Sequence, residues 1–345
     1  MARNPDLHYP LQKNIPEPGN LTRVTEGVYW LRMPLPFALN HINLYLLEGK
    51  TGWTAVDTGV YTAETRSLWE KIFAQRFDSA PLERVVVTHM HPDHIGLAGW
   101  MTRLWGVELW MSRTDFYQCR MLVSDRPGDV PEEAVQFYRR AGYEQRQIDS
   151  YCERFGRYGS MIYKLPAGFR RLRDGDELDL GTHRWRIVEG RGHAPEHLCL
   201  YCEELQVLIS GDQVLPEITS NVSVFPTEPW GNPLGDWLES CRRLPKQISD
   251  QVLVLPAHGP PFVGMHRRMQ QLIQGHEEGL EKLWNMCREK PRRAVDVFDA
   301  LFHRKIQDDT LMMATGESLA HLNCLYYQNK MQCEQEEGVN WYQSC

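Results

Sequence analysis

The stretch Val87–Gly96, VTHMHPDHIG, places three histidines and one aspartate within six positions. In an extended segment, residues two apart point the same way, so His89 and His91 can grip one ion. The chain turns at Pro92. Asp93 and His94 then enter a helix at its first turn and point back toward the same space. Two histidines on one side and an Asp–His pair on the other suit two adjacent metals better than one. A three-ligand zinc site with an open position needs further ligands from elsewhere. GRGHAPEH offers His193 and His197, LISGDQ offers Asp212, and LPAHGP offers His258. A carboxylate such as Asp212 can bridge two ions, which a single imidazole cannot. Taken singly, each of these residues reads more simply as a solvated or capping loop residue. Their joint occurrence after an H-x-H-x-D-H run is what points to metal.

Each candidate ends an apolar, strand-like run and lies beside Gly or Pro, which predicts loops at a sheet edge. The segments 27–35, 41–49 and 53–59 read as an antiparallel meander. A helix is expected over 63–76, a short buried strand over 82–90, a helix closed by Gly over 93–106 and a strand over 107–112. From 113 to about 165 the chain turns polar and helix-like, with nine Lys/Arg against eight Asp/Glu in 113–164. This reads as a helical insertion, a candidate lid. Strand patterning returns at 169–193 and continues to the LPAHGP segment. From His266 onward the pattern is helical, ending in a helix and a short hairpin. Strands and helices alternate irregularly, which fits two sheets flanked by helices.

The elements AVDTG (55–59), THMHPDHIG (88–96), GRGHAPEH (190–197), SGDQ (210–213) and PAHGP (256–260) occur in the order found in the metallo-β-lactamase-fold hydrolases, which this sequence closely resembles. The resemblance implies an α/β four-layer αββα sandwich over 1–265, with metals at one edge of the two sheets. It implies that His89, His91 and His193 hold one metal, that Asp93, His94 and His258 hold a second, and that Asp212 bridges them. Asp57 and His197 are implied to support the ligand loops from behind. Residues 266–345 resemble the small winged-helix-like module appended to one branch of the family. The cofactor expected is two divalent ions, zinc first, with iron or manganese as alternatives. Two such ions share a hydroxide nucleophile, and Asp93 shuttles its proton, so no Ser or Cys nucleophile is needed.

The 345 residues carry a net charge of −7, which disfavours nucleic acid as a partner. A DNA-binding winged helix is the rival reading of the C-terminal module. Residues 276–345 hold eight Lys/Arg and twelve Asp/Glu, and the stretch 316–330 has a single Lys. Phosphate contact needs basic side chains. Packing or homodimerisation is therefore preferred, with His276, His303 and His321 structural. The N-terminus lacks an apolar signal core, no run is long enough to span a membrane, and nine scattered cysteines suggest free thiols. A cytoplasmic protein is expected.

For the reaction, an ester or thioester of a small-molecule acyl substrate ranks first, lactones included. A phosphodiesterase or RNA nuclease of the same fold ranks second: FRRLR (169–173) is a small basic cluster, read here as a solvated strand face. A non-catalytic regulator ranks third, since all seven ligand positions are intact. Hydroxyacylglutathione hydrolases of the family carry a basic, aromatic stretch after the bridging Asp. Here residues 213–237 contain no Lys or Arg. They offer Asn221, Ser223, Phe225 and Trp230 as contacts for an uncharged acyl group. The insertion adds Phe116, Tyr117, Phe137 and Tyr138, as pocket wall or as its own core.

Overall fold

Seven strands lie side by side in chain order: β1 (Leu21–Thr25), β2 (Val28–Pro34), β3 (His41–Glu48), β4 (Trp53–Val56), β5 (Leu82–Val86), β6 (Glu108–Met111) and β7 (Arg170–Arg171). A second sheet comprises β8 (Glu177–Leu180), β9 (His183–Gly190), β10 (His197–Cys202), β11 (Val207–Gly211) and β12 (Leu253–Pro256). This computed structural model describes residues 3–37, 39–77, 80–302 and 305–345; His303 lies outside them.

Period-two alternation sends each strand's side chains to two faces. On β2 and β3, Val28, Trp30, Tyr45 and Leu47 pack between the sheets with Trp185, Ile187, Leu198 and Leu200 of the second. Their neighbours Leu31, Met33, Leu44 and Leu46 face outward. There they meet Trp69, Ile72 and Phe73 of α1 (Ala63–Arg76). The outer face of the second sheet is covered by α7 (Pro233–Gln247), α8 (Met265–Glu289) and α10 (Leu311–Tyr327). The result is the expected αββα order of layers.

The helix expected over 93–106 is two, α2 (Pro92–Ile95) and α3 (Ala98–Trp105). Between them the chain presses on the turn after β4. A Cβ on Gly96 would sit 2.5 Å from the Gly59 carbonyl oxygen. The Leu97 N–H turns to that carbonyl, at 3.2 Å, and to Thr58 Oγ1, at 3.1 Å. Gly106, at φ +67°, closes α3 as the sequence predicts.

The insertion is helical, with α4 (Arg113–Ser124), α5 (Glu132–Ala141) and α6 (Gln145–Arg154). It is not one lid. Of these three helices, α4 is the one whose Asp115 bonds the loops at the sheet edge. Phe137, Tyr138 and Tyr151 of α5 and α6 are buried in the same apolar cluster as α7, α8 and α10. Phe116 is buried against Phe169, so three of the four aromatics are core; Tyr117 is exposed. After α8 come α9 (Phe298–Leu301), α10, and an antiparallel hairpin of β13 (Met331–Glu336) and β14 (Val339–Ser344), the expected helix-then-hairpin ending. The nine cysteines are free. Among the described residues no helix is long and apolar enough to cross a membrane.

Between α8 and α10, His276 Nδ1 meets His321 Nε2 at 3.3 Å, and His321 Nδ1–H donates to the Glu317 carbonyl. Burial, with the neighbouring imidazole adding to it, pushes His276 down to about 3. Burial pushes His321 down to about 4, against the Glu317 carbonyl. An unfolded histidine binds its proton near pH 6.5. Both rings therefore stay neutral in the fold where the unfolded chain is protonated, and stability falls as pH drops from about 6.5 toward 4. Each histidine contributes a slope of up to about 1.4 kcal/mol per pH unit in that window. Urea unfolding across pH 4–7 should show a shallower dependence in His276→Gln/His321→Gln than in the unchanged chain.

Candidate metal centre

The ligand candidates, with Asp57 behind them, come from five strand ends that meet at one edge of the sandwich. Asp57 follows β4 at φ +61°, His89–His94 follow β5, His193 follows β9, Asp212 follows β11 and His258 follows β12. Side-chain bonds to backbone hold the two sheets together here. Asn43 of β3 donates to the Pro256 and Gly259 carbonyls, and Tyr45 Oη–H donates to that of Pro256.

Two groups of donor atoms result, His89/His91/His193/Asp212 and Asp93/His94/His258. In the first, His89 Nε2 lies 2.9 Å from His91 Nδ1. That atom lies 3.0 Å from His193 Nε2, which lies 3.3 Å from Asp212 Oδ2. In the second, Asp93 Oδ2 is 3.3 Å from His258 Nε2 and 3.8 Å from His94 Nε2. The other Asp212 oxygen, Oδ1, sits 3.6 Å from His94 Nε2 and 3.5 Å from His258 Nε2. Asp212 thus turns one oxygen toward each group.

This donor set fits divalent ions. Edges of about 3.3 Å are what a tetrahedron of ligands at about 2.0–2.1 Å from zinc requires. Among the described residues, buried His94 Nε2 and Asp212 Oδ1 find no hydrogen-bond partner, although both face the space shared with Asp93 and His258. Unpaired buried polar atoms are costly, and an ion between them removes that cost.

The far sides of four of the five rings, those of His89, His94, His193 and His258, are bonded to the protein. Asp57 Oδ2 accepts from His94 Nδ1–H at 2.7 Å and from the Thr88 hydroxyl at 2.8 Å, while Oδ1 accepts the Thr88 N–H. With its proton given to Asp57, Thr88 Oγ1 can accept from His89 Nδ1–H, 3.1 Å away. His193 Nδ1–H donates to the Asn221 carbonyl and His258 Nδ1–H to that of His41. His197 Nε2 accepts the Asp212 N–H at 3.0 Å. Such outer bonds fix the tautomer and aim the ligand nitrogen. Only glycine fits at 211: its φ is +50°, and a Cβ would stand 2.6 Å from His197 Nε2.

Charge is distributed to match. Burial holds His89 and His197 well below the usual histidine range, and burial with His193 nearby takes His91 down to about 3. These rings are neutral donors. Burial works against ionising Asp212, but His258 and His94 outweigh it and hold its carboxyl well below the usual range. For Asp93, burial is likewise outweighed by His94 and His258. Both carboxylates are charged.

Of the expected substrate contacts, Ser223 and Phe225 line a groove of about 310 Å³ that opens beside His193. Asn221 and the Ser223 hydroxyl are spent within the protein, on Glu317 and on each other. Trp230 is elsewhere. It lines a separate cavity of about 330 Å³ and packs on Tyr326, because the chain after Phe225 leaves the sheet edge for α10.

Two residues that matter were missed. Asp115, fully buried in the first turn of α4, accepts the Met90 N–H at 3.0 Å and the Glu196 N–H at 2.9 Å, so it ties the His89–His91 loop to the His193–His197 loop. Tyr158 Oη–H donates to the Met90 carbonyl. Ser112-x-x-Asp115 looks in sequence like an ordinary helix cap. Tyr158 carries no sequence signal, because its partner is 68 residues away.

A family model described as the metallo-beta-lactamase superfamily matches residues 39–258, and one described as a metallo-beta-lactamase-like C-terminal domain matches 280–345. The probable metallo-hydrolase YqjP of Bacillus subtilis is 28% identical over 92% of this chain and 95% of its own. The acyl-coenzyme A thioesterase MBLAC2 of Gallus gallus is 25% identical over 67% of this chain and 77% of its own. A beta-lactamase domain protein from Burkholderia ambifaria has a crystal structure that superposes with a TM-score of 0.91, at 39% identity and 98% coverage of both chains.

Asp115→Ala leaves two N–H groups of the ligand loops unpaired. It should cost about 2–4 kcal/mol in urea unfolding, and Asp115→Asn, which keeps one acceptor oxygen, should cost less.

Proposed function

This chain belongs to the metallo-beta-lactamase superfamily and is a metallo-hydrolase of it; from that premise we propose a dinuclear enzyme that hydrolyses an ester or thioester of a small, largely uncharged acyl group. The observation that carries the dinuclear reading is the Asp212 carboxylate, with one oxygen in each donor group. His89, His91 and His193 would hold one ion, and Asp93, His94 and His258 the other. When bound, such ions bring the pKa of a shared water to about 7 and polarise the substrate carbonyl. Zinc suits this His/Asp set, and iron or manganese remain compatible with it.

The chain's own groups do the rest. Asp93 accepts the proton of the attacking water and passes it to the leaving group; Asp93→Asn should lower kcat about 10²–10⁴-fold. Met90 and Phe225 give the groove beside His193 apolar wall for the acyl chain. The relative named as an acyl-coenzyme A thioesterase supports this substrate class. The groove also sets Arg191 against Glu196, Glu228 and Asp236, and Arg191 is already paired with Glu189 at 2.7 Å. That balance disfavours a nucleic-acid backbone. Two of the three FRRLR cations are engaged too: Arg170 lies over the Trp110 ring and Arg171 near Glu196. The C-terminal module is winged-helix-like in this reading, with α10 and the β13–β14 hairpin, and it serves packing rather than DNA.

Metal-analysed protein should be assayed against an acyl-CoA, an acyl-glutathione, a lactone and bis-p-nitrophenyl phosphate. Turnover of a thioester, ester or lactone is expected, and cleavage of the phosphodiester alone would overturn the substrate class. Asp212→Ala should lose metal and activity together. A fully active, metal-replete Asp212→Ala protein would sink the bridging assignment.

A further inference from the structure

His193 is the one candidate ligand whose outer bond goes to the connection between β11 and α7. Its Nδ1–H donates to the Asn221 carbonyl at 2.7 Å, while its Nε2 faces His91 and Asp212. Asn221 lies outside any strand or helix, so something else must hold its peptide in place. Its side chain is gripped at both ends. Nδ2–H donates to Glu317 Oε2 at 3.1 Å, and Oδ1 accepts the Ser223 hydroxyl at 2.6 Å.

Glu317 stands on α10, 96 residues along the chain. The helix is close enough to reach because residue 316 is glycine: a Cβ there would sit 2.7 Å from Ser223 Cβ. The Val224 N–H donates to the Gly316 carbonyl at 3.0 Å and locks the approach. Burial pushes the Glu317 carboxyl up to about 7, against the help of the Asn221 amide. An apolar residue would fill this position without that cost. A carboxyl here makes physical sense as an acceptor for Asn221.

We propose that Glu317 is a positioning residue for the metal centre: by holding the Asn221 amide it fixes the carbonyl that aims His193 at the His89/His91/Asp212 group. The C-terminal module is then part of the metal centre and not an appendage to it. The inference rests on the two-ion reading above. It predicts an asymmetric effect, because the other group is braced from different strands, through Asp57 behind His94 and the His41 carbonyl behind His258.

The test is a chelator-competition titration of the full chain with Zn(II), alongside thermal unfolding of the metal-free protein. Glu317→Ala should keep one ion at unchanged affinity and bind the other about 10–100-fold more weakly. Glu317→Gln retains an acceptor oxygen for Asn221 and should restore binding close to that of the unchanged chain. Tyr143→Phe removes a different contact of α10, the Tyr143–Thr315 hydroxyl pair. It should lower thermal stability and leave both affinities alone. If Glu317→Ala does not fold, Asn221→Ala carries the same expectation, since it keeps the carbonyl and removes its brace. A folded Glu317→Ala chain with both affinities unchanged would overturn the inference and leave the two-ion reading standing. Failure of the unchanged chain to bind a second Zn(II) would overturn that reading, and this inference with it.

Discussion

A carboxylate buried between two sets of imidazoles is the constraint on which the rest of this structure turns. Asp212 is only 7% exposed. A charge so placed is tolerable only if partners face both of its oxygens. The side chains that meet this demand, His94, His193 and His258, start from the ends of β5, β9 and β12. The strand ends must therefore converge, and the two stacked sheets must be held together at that edge. The bonds from Asn43 and Tyr45 to the Pro256 carbonyl achieve this close to His258.

Convergence alone does not aim a ring. Four of the five ligand rings are directed by what their other nitrogen touches. Those outer partners come from widely separated parts of the chain: Asp57 after β4, the His41 carbonyl at the start of β3, and Asn221 after β11. The insertion serves the same purpose at one remove. Through Asp115 and Tyr158 it grips the backbone of Met90, between two ligand candidates. Its later helices turn away to share an apolar core with the C-terminal helices. Helical segments that look peripheral along the chain thus brace the centre from both flanks.

What was legible in the sequence was local. His-x-His-x-Asp-His, the strand-end positions of His193, Asp212 and His258, and two sheets flanked by helices follow from short-range pattern, and the αββα order from the resemblance those motifs carry. Backbone alternation and the type of each side chain are written residue by residue. The helix over 93–106 was misjudged because periodicity does not register an interruption imposed by another turn, here the close approach of Gly96 to Gly59. Sequence proximity to Asp212 puts Trp230 among the expected substrate contacts. The chain leaves the sheet edge within a few residues and carries the ring to α10 instead.

The sequence by itself determined the donor set, and with it the kind of chemistry available, because ligand chemistry belongs to residue type and strand-end spacing. Only the tertiary structure decided which oxygen of Asp212 faces which group, that Asp115 ties two ligand loops together, and that Asn221 is spent on Glu317 rather than free for a substrate. The Asp115 and Asn221 contacts join residues 25 to 96 positions apart. No local pattern records them, since their partners are chosen by how the layers pack.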